Sequence, residues 1–207
     1  MREAVCHVIR TLGESPLALT HRLVLRLLDT LDECLRHPHD IIQEAGAKAL
    51  RALAGSRLAS DSAEIADRLP LKHVALLAKP ANVAVSRGSA LALGVLPRAM
   101  LAPNAPVLER VVSALIHGTK LVGKVADRDA ETRRNCVVSL AEVVETVGVA
   151  WGPTADTGGL STAQVYRIFC TLLRSTRDYA TDKRSAACAP RLSARLTCSS
   201  HVLAAQG

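Results

Sequence analysis

Aromatic side chains are almost missing from this sequence, which has one Trp, two Tyr and one Phe in 207 residues. That scarcity argues against a sheet core of the usual aromatic and β-branched mixture. It argues equally against a single-strand nucleic-acid platform, which needs rings for bases to stack on. Long uncharged apolar runs are scarce as well. The stretch most like a membrane span, Gly88 to Leu108, has Arg98 as its one charge but is broken by Pro97, Pro103, Asn104 and Pro106. It reads as a buried helix followed by a loop, and no integral membrane segment is expected. Six cysteines (Cys6, Cys34, Cys136, Cys170, Cys188, Cys198) are scattered without a paired spacing. A basic start followed by an apolar run and a small-residue cleavage site is not seen. The cysteines therefore read as reduced thiols of a cytoplasmic protein.

What is present is aliphatic. Hydrophobic residues make up 49% and charged residues 22%, the balance of a folded chain with one contiguous core. That core has to be filled by Leu, Val, Ile and Ala, which pack well between helices. The net charge of +7 points first to an acidic partner. Four of those charges, Lys183, Arg184, Arg191 and Arg195, sit between Lys183 and Gly207, where no acid stands. The body of the chain is only mildly basic.

Helical periodicity recurs along the chain. Val24, Leu27, Leu28, Leu31, Cys34 and Leu35 share one helical face, and His37-Pro38 ends that helix. Asp40, with Gln43 three residues later, predicts a capping box opening a second helix through Ala45, Ala49 and Leu53 to Gly55. Ser62 to Ala78 is helical in composition, but Pro70 predicts a kink or two short pieces. Asn82 caps the next helix, which runs towards Leu96. Leu108, Val111, Val112 and Leu115 form another apolar face, followed by a loop with Gly118 and Gly123. Asp129 caps a helix with the stripe Val137, Leu140, Ala141, Val144 and Val147, closed by Gly148. Trp151 to Gly159 reads as a linker. Ser161 caps a helix carrying Val165, Ile168, Phe169 and Leu172 on one face, and Asp178 stands where a following cap belongs.

The cap positions Asp40, Asn82, Asp129 and Asp178 are 42, 47 and 49 residues apart. Helical units at about 40 to 47 residues are the period of HEAT and armadillo arrays. Five residues after each cap stand Ala45, Arg87, Arg134 and Lys183, and seven after it Ala47, Ser89, Cys136 and Ser185. A small residue at a fixed offset permits close helix approach. The fold expected is all-α, a HEAT/armadillo-like α-solenoid of antiparallel helix pairs over residues 1–182. Residues 183–207 are expected to form a divergent, disordered basic tail.

Three ordered segments carry a resemblance: Ser86-Arg87-Gly88-Ser89-Ala90-Leu91-Ala92-Leu93-Gly94-Val95-Leu96-Pro97; Glu131-Thr132-Arg133-Arg134-Asn135 leading into Thr146-Val147-Gly148-Val149; and Gln164-Val165-Tyr166 leading into Asp178-Tyr179-Ala180-Thr181-Asp182. Together they resemble the family of tubulin-specific chaperone D, the tubulin-folding cofactor D family, from about Val83 to Arg184. Ser89 stands where that family has an aromatic residue, and the sequence departs from it after Arg184. Members are far longer, so the resemblance implies a segment of the C-terminal half. It also implies a HEAT-like chaperone that captures β-tubulin, joins cofactors C and E, and works with an Arf-like small GTPase on the tubulin heterodimer. GTPase activation would belong to the full assembly, and the location implied is cytoplasmic with cytoskeletal or centrosomal association. The candidate partner-binding residues are Arg87, Arg133, Arg134, Asp178 and Tyr179.

Catalytic and cofactor chemistry has little to rest on. Gly118-Thr119-Lys120-Leu121-Val122-Gly123-Lys124 fits G-x-x-x-x-G-K, but Val125 replaces the hydroxyl that would hold Mg²⁺, and a helix precedes it where a strand is required. It reads as an inter-helix loop. Cys34, His37, His39 and Asp40 could be imagined around zinc, but Cys34 lies on the buried stripe and no second ligand pair has matching spacing. Arg133-Arg134, with Arg128, reads as solvated charge paired with Asp127, Asp129 and Glu131, or as a ridge for an acidic partner. A basic HEAT scaffold gripping nucleic-acid phosphates is the alternative to a protein-binding role. No cofactor, no metal and no enzymatic activity are expected.

Overall fold

The computed structural model describes residues 1–55, 63–120, 129–150 and 158–181. Nine helices make up most of these residues: α1 (Arg2–Glu14), α2 (His21–Leu35), α3 (Asp40–Leu53), α4 (Ala63–Ala78), α5 (Val83–Gly94), α6 (Arg98–Leu101), α7 (Ala105–Gly118), α8 (Ala130–Val147) and α9 (Thr162–Thr181). Among the described residues the sole extended pairing is a bridge between Val149 and Leu160. The chain is all-α.

The helices lie in two rows. In the first, α1 packs on α3, α3 on α5 and α5 on α8. In the second, α4 packs on α7 and α7 on α9, while an ion pair from Lys72 to Asp32 ties α4 to α2. The rows meet where α2 packs on α3, α4 on α5 and α7 on α8. Between them lies the aliphatic core that the composition demands. Leu31, Leu50, Leu53, Leu93, Leu101, Leu108, Leu115 and Leu140 are each at most 2% exposed, and burying a leucine side chain contributes about 1.5–3 kcal/mol. Tyr166, Phe169 and Leu173 are exposed on α9. Phe169 thus leaves the buried face assigned to it by periodicity, while Ile168 and Leu172 keep theirs.

Most helices begin on a side-chain cap. Asn82 Oδ1 accepts from the Val85 N–H at 2.9 Å, and Asp129 Oδ2 from the Thr132 N–H at 3.1 Å. Ser161 and Gln164 close a reciprocal pair, at 3.2 Å to the Gln164 N–H and 2.8 Å from the Ser161 N–H. The predicted box at Asp40 does not form. His39 holds the cap position, and Asp40 accepts from the Ile41 N–H at 2.8 Å. Gln43 is instead buried, donating through Nε2 to the His37 and Ala84 carbonyls, each at 2.8 Å. A buried amide takes whichever acceptors are near, and here one of them belongs to α5.

Two further expectations change. Of the alternatives at Pro70, the two short pieces do not hold: Pro70 lies inside α4, Ala63–Ala78. Pro70 and Leu69 are themselves buried, so packing offsets the roughly 3 kcal/mol that an interior proline costs a helix. Asp178 does not open a helix, because α9 continues through it to Thr181. The segment from Ser175 to Thr181 holds no Gly or Pro that would end a helix there.

Helices approach closely at small residues. A Cβ on Gly88 would stand 1.8 Å from the Leu35 carbonyl oxygen, so α5 touches the backbone of the last turn of α2. Ser139 Oγ of α8 donates to the Ala90 carbonyl of α5 at 2.7 Å. The single-turn α6 rests against α4, α7 and α8. From it the Arg98 guanidinium donates to the Val147 carbonyl, at the end of α8 where the helix dipole is negative, and to the Gly158 carbonyl at 3.2 Å.

Candidate functional site

Arg87 stands in the second turn of α5 and meets the start of α8. Its Nε donates to Asp129 Oδ2 at 3.0 Å and its Nη2 to Oδ1 at 2.6 Å, while Nη1 lies 3.3 Å from Glu131 Oε2. This is a two-pronged guanidinium–carboxylate contact, the strong form of such pairs. Burial alone would raise the Asp129 carboxyl, but hydrogen bonds from Arg87 and Thr132 outweigh it and hold the group below its usual range. The stability it supplies is present above its unfolded pKa near 3.8 and is lost as pH falls through the lower folded value. Asn135 Nδ2 donates to the Arg87 carbonyl at 3.4 Å and adds to the same junction. Asp129→Ala removes a cap and an ion pair together, and a loss of about 2 kcal/mol is expected in urea unfolding. Asp129→Asn keeps the cap and is expected to lose about half as much; equal losses would mean the cap contributes nothing, and no loss in Asp129→Asn that the ion pair contributes nothing.

The two arginines read as solvated charge or as a ridge diverge. Arg133 Nε donates to the Thr119 carbonyl at 3.3 Å, closing the end of α7. Arg134 turns to the other side of α8, and its buried Nε has no hydrogen-bond acceptor. Asp129 and Glu131 go to Arg87 rather than to either of them. Asp178 and Tyr179 lie on the backbone of α9, but their side chains, with Asp127 and Arg128, fall outside the described residues. The same is true of Leu121 to Lys124 in the loop motif and of the basic tail after Thr181.

Arg134 faces a groove of about 600 Å³ on the surface of the first row. Arg10 and Glu14 of α1, Glu44, Lys48 and Arg51 of α3, and Glu142 of α8 carry its charges. Leu91 and Gly94 of α5, with Val138 and Ala141 of α8, supply apolar lining. Arg51 Nη2 meets Glu142 Oε2 at 2.6 Å, joining α3 to α8 across α5. Two long side chains therefore span the helix that separates α3 from α8. No local sequence signal could have located this groove, because its walls come from residues 10 to 142.

The other chemical candidates are absorbed by packing. Cys34 is 2% exposed in the core, and His37 Nδ1 accepts from the His39 N–H at 3.2 Å. Burial first, then the neighbouring Cys34, pushes the Cys6 thiol up to about 12, and burial does the same to Cys136. Thiols so placed stay protonated at neutral pH and are poor nucleophiles. Gly118 of the G-x-x-x-x-G-K stretch ends α7, where a Cβ would stand 2.5 Å from Cys136 Sγ. Close packing explains that glycine. Among the described residues no helix is long and apolar enough to cross a membrane. Compared with known proteins, the chain matches no family model, and no solved structure matches it.

Proposed function

We propose that this chain is a stretch of HEAT-like α-solenoid from a tubulin-folding cofactor, and that it acts by binding other proteins rather than by catalysis. The observation that carries the reading is the way α3 and α5 each grip the start of the next first-row helix. Gln43 of α3 reaches the Ala84 carbonyl 41 residues on, and Arg87 of α5 reaches Asp129 42 residues on. Ser139 and Asn135 of α8 reach back to α5 over 49 and 48 residues. A chain of helix pairs stacked at a period of about 40–47 residues needs recurring contacts of this span. The three sequence segments similar to the tubulin-folding cofactor D family give the array its partners: β-tubulin, cofactors C and E, and an Arf-like small GTPase.

The role of the array is then to present a surface to folded tubulin, with GTPase activation arising in the larger assembly. Retention of purified β-tubulin on the immobilised chain tests this, with an unrelated HEAT-repeat protein of similar charge as the control. At least tenfold more tubulin is expected on this chain. Equal retention on both would remove the tubulin assignment and leave the helical array without a partner.

A further inference from the structure

We infer that the groove between α1, α3, α5 and α8 receives an extended acidic peptide segment, which seats a carboxylate on Arg134 and an aliphatic side chain beside it. This goes beyond the tubulin reading and does not depend on it. The shape of the groove is the first support. At about 600 Å³ it is large enough for several side chains, and Leu91, Val138 and Ala141 offer an apolar surface at the foot of charged walls.

The charge pattern is the second and independent support. Two of the wall arginines are matched, Arg10 with Glu14 at 2.8 Å and Arg51 with Glu142 at 2.6 Å. Arg134 is not, and its Nε is buried without an acceptor. A guanidinium keeps its charge at any physiological pH and presents a planar fork that fits a carboxylate through two parallel bonds. An apolar segment would leave that donor unmet. A basic one would set its charge against Arg134 and leave the same donor unmet. The occupant that satisfies both floor and donor carries Asp or Glu next to Leu, Ile or Val.

Fluorescence anisotropy of labelled octapeptides with the whole chain tests this. A peptide alternating glutamate and leucine is expected to bind at least tenfold more tightly than one alternating glutamate and glycine, or lysine and leucine. Arg134→Met is expected to weaken the glutamate–leucine peptide at least tenfold, with helical circular dichroism unchanged. Arg134→Lys keeps the charge without the planar fork and is expected to weaken the same peptide severalfold. That variant keeps the test decisive if Arg134→Met folds poorly. Equal binding of the three peptides would overturn the inference, as would a folded Arg134→Met or Arg134→Lys protein that binds as before.

Discussion

Replacing Gly88 with alanine is expected to cost the fold about 3 kcal/mol, the upper end for overpacking, and to lower the melting temperature by about 6–12 °C for a chain of this size. The added methyl would stand 1.8 Å from the Leu35 carbonyl oxygen, 2.6 Å from its carbon and 3.2 Å from its Cα. All three are backbone atoms, so no rotamer change relieves the overlap, and α5 has to move away from α2. The movement opens the layer that holds Leu35 and Ala90, both buried. Alanine's helix propensity returns about 1 kcal/mol, too little to compensate. Gly55→Ala is the matched control, because nothing lies within 4 Å of its would-be Cβ. Thermal circular dichroism of the two variants decides the matter. If both melt with the wild type, α5 and α2 do not approach this closely in solution.

Acid is expected to weaken the protein well before its carboxylates titrate. His73 of α4 is 2% exposed, and neither of its ring nitrogens has a hydrogen-bond partner. Burial first, then the charges of Lys72 and Arg36, lowers its pKa from 6.5 to about 4. Asp32 Oδ1 lies 3.8 Å from Nε2, but that carboxylate is already paired with Lys72. Between pH 6.5 and 4 the unfolded chain takes up a proton that the folded one refuses, so stability falls as pH falls. Each unit is worth about 1.4 kcal/mol, or about 3 kcal/mol by pH 4. Urea unfolding at pH 7, 5.5 and 4 would read the slope. His73→Leu is expected to flatten it and to leave stability at pH 7 equal or higher, since leucine fills the site without two unmet nitrogens. A slope that survives the substitution would have to come from other groups.

What could be read in advance was whatever the chain decides locally. The stripes of α2 and α7 follow from the helical period, as do Val137, Leu140 and Val147 of α8, although Ala141 and Val144 of that stripe are half-buried and Val143 takes a core place instead. The caps Asn82 and Asp129 follow from a side chain bonding its own backbone three residues on. Local reasoning failed where the partner is distant. Gln43 looked like half of a capping box, but one of its acceptors is on α5. Arg87 was placed only by its offset of five residues from Asn82, whereas the cap it holds is Asp129, at the start of α8. The first helix was not anticipated because its buried face is only Cys6, Ile9 and Gly13, too small a stripe to stand out. Arg134 was singled out as a partner-binding residue on the strength of a doublet with Arg133. Its setting in the groove is written in three other helices.

The contact between Arg51 and Glu142 also ties α3 to α8 from outside, over the helix that separates them. Arg51 is half exposed to solvent, so dissolved ions compete for it, and the Debye length of about 8 Å at physiological ionic strength falls to about 3 Å at 1 M. The tie therefore weakens as salt rises, while the aliphatic packing of α3 and α8 against α5 is not screened. A partner that brings its own carboxylate to Arg51 would compete with Glu142 for the same guanidinium.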